Sequence, residues 1–298
     1  MKSPRTHFRK VESINGYLFA LPYILGFLAL TAYPVLYSFY LSFTNYSVLK
    51  SPQWVGIENY RELLTDDVFH TAIKNTFIYM LTAVPLGTVM AILLALLLNT
   101  KVRGMAFYRT LFFIPSLVPL IATAMLWMWV FNGEYGLLND GLRRIGVTAP
   151  NWMGDPAWAK WTLVIMAVWG TGNAMVIYLA GLQDIPQNLY EAADLDGASP
   201  WKKTKAVTLP MLSPVIMFNG IMGMIGGLQQ FALPYVMFPG GAPARSTLFV
   251  SMYLFDNAFN NQRMGFASAI GWVMFIITLI LTLTALKVSD KFVVYDRS

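Results

Sequence analysis

The sequence predicts an all-α polytopic membrane protein with six spans. Three observations point there. The 298 residues are 56% hydrophobic and only 12% charged, with mean hydropathy +0.53, far from an ordinary soluble domain. Apolar runs of roughly twenty residues, the length that crosses a bilayer, recur along the chain. The charged residues gather between those runs.

Taken in order, Met1 to Gly16 reads as a short basic tail carrying Lys2, Arg5, Arg9 and Lys10. Span one is expected at Tyr17 to Phe43, kinked at Pro22 and Pro34. It is too long for the core of a cleaved signal peptide and reads as an uncleaved span. The polar stretch from Thr44 to Lys74 holds a short surface helix at Asn59 to Leu64. Span two is expected at Asn75 to Leu98, and Lys101, Arg103 and Arg109 mark a tight turn. Span three is expected at Tyr108 to Phe131, with Pro115 and Pro119 inside it. Trp152, Trp158 and Trp161 fit an aromatic belt before span four, at Ala159 to Leu182. Span five is expected at Pro214 to Leu233, capped by Ser213 and bounded by Pro234. A Gly/Pro loop at 239–243 and a short helix around Leu248 to Ala258 precede span six, Met264 to Leu286. Residues 17–298 are thus expected to form one transmembrane domain.

Six spans leave both termini on one side. That side, with the 184–214 loop, carries 13 of the 21 Lys and Arg, while the acidic residues divide almost evenly. The basic excess places both termini in the cytoplasm.

The 184–214 stretch, DIPQNLYEAADLDGASPWKKTKAVTLPMLSP, is the longest polar interval. Asp184 is expected to cap a helix, with Pro186 in its first turn and Gly197 closing it in a left-handed position. Ser199 is expected to cap a second helix that starts at Pro200 and stops at Pro210. Such a two-helix knob suits a groove on a soluble partner. An amphipathic helix lying on the bilayer is the plainer reading from composition.

Glu191-Ala192-Ala193, three residues, Gly197, nine residues, then Val207-Thr208-Leu209-Pro210 resembles the EAA loop of binding-protein-dependent ABC importer permeases. That family prefers Ile where Val207 stands and often has an aromatic at Thr204. Val55 to Tyr60, Tyr135 to Asn139 and Gly265 to Ala269 look like the sugar-type permeases of the maltose-system (MalF) class. The resemblance implies a type I importer permease in a bacterial or archaeal cell membrane, forming half of a pore. Its implied partners are a second, MalG-type permease, two ATPase subunits and a solute-binding protein. It also implies that Glu191, Ala192, Ala193, Asp196, Gly197 and Ala198 face the ATPase.

The chain's own residues fit a subunit driven by others. There is no G-x-x-x-x-G-K-[ST], H-E-x-x-H or G-x-S-x-G. There are no cysteines, and His7 and His70 are far apart, so no metal site and no enzyme chemistry are expected. The carboxylates lie almost entirely outside the spans, which excludes an intramembrane proton relay. No cofactor is expected on this chain, and ATP and Mg belong to the partner subunits. Lipid is an expected partner and nucleic acid is not.

Within the spans Gly170, Thr171 and Asn173, and Asn219, Gln229 and Gln230, offer the neutral polar groups that a polyol's hydroxyls require. Bonding between helices is the alternative use of such groups. No basic residue is expected to meet a phosphate from the spans. Gly220, Gly223 and Gly227 are expected to pack against the second permease. The expected function is the pore subunit of an ATP-driven sugar importer. A stand-alone facilitator for small neutral solutes is the alternative, and an intramembrane enzyme ranks last.

Overall fold

A computed structural model of the chain describes residues 4–100 and 102–289, and only the backbone of 4–15. The fold is mostly helical. Four helices are long and apolar enough to cross a membrane: Gly16–Leu41, Asp67–Leu98, Pro200–Met237 and Met264–Ser289. Two bent pairs, Met105–Leu117 with Leu120–Val130 and Pro156–Trp169 with Gly172–Gln183, raise the number to six if each pair is one span.

The chain divides into two compact units, residues 1–65 with 254–273, and residues 66–253 with 274–298. In the first, α1 (Pro4–Phe27) runs through a π turn at Leu28–Ala32 into α2 (Tyr33–Leu41). The segment read as a basic tail is therefore helical from Pro4, while Lys2 lies outside the described residues. Pro22 sits inside α1. A π turn precedes Pro34, making room where the proline ring meets the carbonyl four residues back.

An antiparallel hairpin follows, β1 (Thr44–Ser47) with β2 (Lys50–Trp54), pairing Thr44 with Trp54 and Ser47 with Lys50. It corrects the all-α expectation. Short α3 (Glu58–Thr65) pins it: Asn59 Nδ2 donates to Ser42 O at 2.8 Å and Thr44 O at 3.0 Å, and Tyr60 Oη meets Ser42 Oγ at 2.7 Å. Gly265 passes so close to Thr44 O that a Cβ there would lie 2.0 Å from it. Arg263 pairs with Glu62 at 2.5 Å.

The second unit is built on α4 (Asp67–Leu98), which starts eight residues before the expected position. Asp66 sets that start by accepting from Val68 N at 2.8 Å and Phe69 N at 3.2 Å. Its other oxygen accepts from Tyr253 Oη. After the turn, α5 (Met105–Phe113), a 3₁₀ turn at Ile114–Leu117 and α6 (Leu120–Val130) replace one straight span with a 97° bend. The two prolines cause it: Val118, just before Pro119, is extended with ψ 130°.

Short α7 (Leu137–Arg144) anchors the next loop through Asn139, which donates to Gly133 O and accepts from Trp152 Nε1 at 2.7 Å. Trp152 is thereby drawn into a cluster with Phe131 and Trp158, rather than out to a belt. The fourth run is α8 (Pro156–Trp169) and α9 (Gly172–Gln183), bent by 41° at Gly170-Thr171.

After α9 comes α10 (Gln187–Leu195), preceded by Pro186 with no side-chain cap; Asp184 ends α9 instead of starting α10. Ser199 does cap α11 (Pro200–Lys203), accepting from Lys202 N. Pro210 does not stop that helix. A π turn at Thr204–Thr208 leads directly into α12 (Leu209–Leu228), with Leu209 N–H reaching back to Thr204 O. This change of register comes one residue before the proline that cannot donate, so the helix passes Pro210 unbroken. Ser213 lies inside it, bonding Pro210 O, and Pro234 lies inside α13 (Ala232–Met237). A cis Ala242–Pro243 turn, α14 (Val250–Phe255), a π turn at Asp256–Asn260 and α15 (Met264–Ser289) complete the chain.

Asp66 both caps α4 and holds Tyr253. Asp66→Ala should cost about 1–2 kcal/mol and lower the unfolding midpoint of the purified protein in detergent. Asp66→Asn, which keeps a capping oxygen, should lose less.

Candidate functional sites

The knob between α9 and α12 is braced from within. Gly197 has φ +65°, Ala198 N donates to Ala193 O at 2.9 Å, and Gly197 N donates to Asp194 O at 3.0 Å. These paired bonds make the left-handed helix end that only glycine adopts without strain. Tyr190 Oη meets Thr208 Oγ1 at 3.0 Å, and Lys203 pairs with Asp194. Ile185 enters a buried cluster with Leu179 and Leu182 of α9, Leu212 of α12, and Ala91, Ala95 and Leu98 of α4.

Of the expected coupling residues, Glu191, Ala192, Asp196 and Gly197 are exposed, and Ala193 and Ala198 half-buried. The Glu191 side chain makes no hydrogen bond or ion pair among the described residues. Ala193, Asp196 and Ala198 line a shallow hollow of about 650 Å³, with Trp201 and Lys202 on its other side.

A second hollow, of about 430 Å³, is walled by α4, the α8–α9 break and α12. Thr171, Asn173, Asn219 and Gln230 line it together. Gly170 and Gln229 do not, since both are exposed outside its wall. Thr171 Oγ1 donates to Val168 O, and Asn219 Nδ2 donates to Val215 O at 3.0 Å. That leaves Asn219 Oδ1 and the amides of Asn173 and Gln230 without a partner among the described residues.

The sequence reading missed Tyr79, Thr88 and Tyr178 on the same wall. Tyr178 is fully buried and its Oη makes no hydrogen bond of good geometry, although it interacts with Thr88. The signal was available: Tyr79, Ala83 and Gly87 recur at the four-residue spacing of one helix face.

The small-residue face of α12 is corrected. A Cβ on Gly223 would lie 3.1 Å from Val84, and one on Gly227 would lie 3.3 Å from Met80, so both pack on α4 of the same chain. Gly220 has nothing within 4 Å. The expectation of no basic group in the spans is also overturned: Lys160 lies on α8, half-buried, its Nζ donating to Asn75 Oδ1 at 2.7 Å.

Gly172 decides where α9 can sit. A Cβ there would meet Phe112 O at 2.8 Å and Phe113 Cα at 3.1 Å, and both are backbone atoms. Gly172→Ala should therefore push α9 off α5 and cost about 1–3 kcal/mol, read as a lower unfolding midpoint. An unchanged midpoint would mean that the two helices are free to separate.

The comparisons with known proteins agree with this geometry. Residues 69–294 match the family described as binding-protein-dependent transport system inner membrane component. The probable ABC transporter permease YesP of Bacillus subtilis is 40% identical, over 99% of this chain and 96% of its own. The trehalose/maltose transport permease MalF of Thermococcus litoralis is 36% identical, over 93% and 94%. A chain of a crystallised bacterial ABC transporter for import of the acidic polysaccharide alginate superposes with TM-score 0.84, covering 96% of this chain and 99% of that one. At 24% identity that likeness speaks for the fold alone. The chain belongs to the family of binding-protein-dependent transport system inner membrane components, and the resemblance to sugar-importer permeases read from its sequence is borne out.

Proposed function

We infer that this chain is the transmembrane subunit of an ATP-driven saccharide importer, with six spans and both termini in the cytoplasm. It forms half of the translocation pathway. A second permease supplies the other half, two ATPase subunits bind the knob and hold ATP and Mg, and a binding protein delivers the cargo outside.

One observation carries this reading. The two helices that leave the knob, α9 and the continuous rod from Pro200 to Leu228, are the ones whose far ends wall the 430 Å³ hollow. Rotating the knob therefore moves Thr171 and Asn173 together with Asn219 and Gln230. Ile185, Tyr190 and Lys203 make the knob and both helices one body, so displacement is passed on without being absorbed by the joint. The mechanism is a two-state rocking element biased by nucleotide on the partner. The exposed apolar sides of the first span, with Phe19 88% and Leu30 80% exposed, suit lipid or the second permease.

Nothing lies within 4 Å of a Cβ built on Gly197, so a substitution there strains only the backbone. Gly197→Val should cost about 1–2 kcal/mol in the turn and uncouple uptake from ATP hydrolysis in the complete complex. Wild-type uptake by that variant would remove the coupling role. Because the chain has no cysteine, Ala193→Cys or Ala198→Cys places a single thiol on the knob. Each should cross-link to an ATPase subunit, and failure of both would falsify the docking assignment. Uptake by this chain alone, without ATP, would point to a facilitator instead.

Asn219→Leu and Gln230→Leu should each raise the half-saturating saccharide concentration of transport by about fivefold, the equivalent of one hydrogen bond at ~1 kcal/mol. Unchanged saturation curves for both variants would assign those amides to packing.

A further inference from the structure

We propose that Lys160, with Lys74 beside it, is a cation site at the outer end of the pathway that selects a saccharide carrying a carboxylate or phosphate. The proposal rests on the importer reading and adds the chemical class of its cargo.

Placement comes first. Lys160 and Ala167 stand at i and i+7, one face of α8, and Ala167 walls the hollow. Asn75, Tyr79 and Ala83 form the matching face of α4, and the latter two wall the hollow. Lys160 and Asn75 continue both faces away from the knob. Ala167 is seven residues from Lys160, roughly 10 Å along the helix.

The segment after the cis turn covers this end. Asn75 Nδ2 donates to Arg245 O at 2.8 Å and Leu248 O at 3.1 Å, Val250 N donates to Thr76 Oγ1, and the Phe249 ring packs on Tyr79 with centroids 5.3 Å apart. The cation thus lies beyond the Phe249 and Tyr79 rings at the end of the hollow away from the knob, where cargo arriving from outside would pass.

Charge comes second. Lys160 is half-buried, and Asn75 Oδ1 is its one hydrogen-bond partner among the described residues. An ammonium has three N–H groups, so two remain. The ion pairs of the described residues are Arg144 with Asp140, Lys203 with Asp194 and Arg263 with Glu62; Lys160 and Lys74 belong to none. Lys74, of the same sign, immediately precedes Asn75, the residue that Lys160 bonds. Two neighbouring cations, one partly out of water and neither paired, are a poor choice for tying Asn75 in place, since a neutral donor would do so without the repulsion. They are a good choice for an incoming anion, which would satisfy the free N–H groups and relieve the repulsion together.

The test uses the complete complex, with both permeases and the ATPases in lipid nanodiscs, and two acid–neutral pairs: digalacturonate against its carboxyl-reduced analogue, and glucose 6-phosphate against glucose. Equilibrium binding should favour the acid of at least one pair by about tenfold at low salt, and the margin should shrink as KCl is added. Which pair responds tells carboxylate from phosphate. Lys160→Met should remove the preference and Lys160→Arg should keep it. Lys74→Met changes an exposed side chain with no hydrogen bond among the described residues, so it should fold normally and lower the preference. Equal binding within both pairs, no binding by any probe, or a preference that survives both methionine variants overturns the proposal. ATP-dependent uptake, followed with the same complex in liposomes and the binding protein added, reports on the importer reading separately: uptake blind to charge sinks only the cation site, whereas no ATP-dependent uptake of any saccharide sinks the reading beneath it.

Discussion

The close approach of α4 to α9 and α12 is the constraint on which the rest of the structure depends. In lipid, helices gain little by hiding apolar side chains from one another, so association relies on van der Waals contact, and small residues make the contact possible. Gly223 and Gly227 bring α12 onto Val84 and Met80, and Gly87 brings α4 onto Thr171. Further toward the knob, Ala91 and Ala95 continue the same thin stripe on α4, against Met175, Leu179 and Leu212. Larger residues at these places would hold the three helices apart and open the hollow to lipid.

That packing creates a division of labour along α4. At the knob end its neighbours are Leu, Ile and Met, interlocked and buried, with Gly181 letting α9 lie against Leu212 and Val215. Cores of this kind have few alternative arrangements and transmit displacement as a body. One turn beyond, the neighbours become Thr171, Asn173 and Asn219, and the contact gives way to space. A rigid lower half and a lined, partly empty upper half is the distribution that a lever with a cargo compartment needs. It follows from where alanine and glycine end and where amides begin.

Most of this was legible because the signals are local. The spans follow from apolar run length, the left-handed Gly197 from its place after a short helix, and the Ser199-Pro200 start from capping chemistry. Several of the errors share one physical source, which is proline. Pro210 was read as a stop and Pro214 as the start of span five, yet one helix runs through both, with a wide turn at Thr204–Thr208 before them. Pro115 and Pro119 were read as lying inside one span, yet the chain bends by 97° there. A proline's local cost is similar in each case. What differs is whether neighbouring elements satisfy the carbonyl left unpaired, and that information is not in the adjacent residues. The hairpin at Thr44–Trp54 escaped for a related reason, since its partners Asn59 and Gly265 lie far away in sequence.

The same reasoning separates the hollow's residues into those that could and those that could not be found in advance. Asn219 and Gln230 are conspicuous as amides in apolar surroundings, and Asn173 follows from the glycines around it. Gln229 was a natural companion to Gln230, but it lies at the C-terminal cap of α12, where one residue of rotation turns its side chain out of the wall. Tyr178 was harder to find, because an aromatic on a span is ordinary core until its hydroxyl is seen to make no hydrogen bond of good geometry. Unfilled hydrogen-bonding capacity is a property of the assembled structure, and it is what distinguishes a lined compartment from a gap in packing. A buried hydroxyl that finds no partner costs about 1–3 kcal/mol, and the sequence of α9 alone does not show that Tyr178 bears that cost.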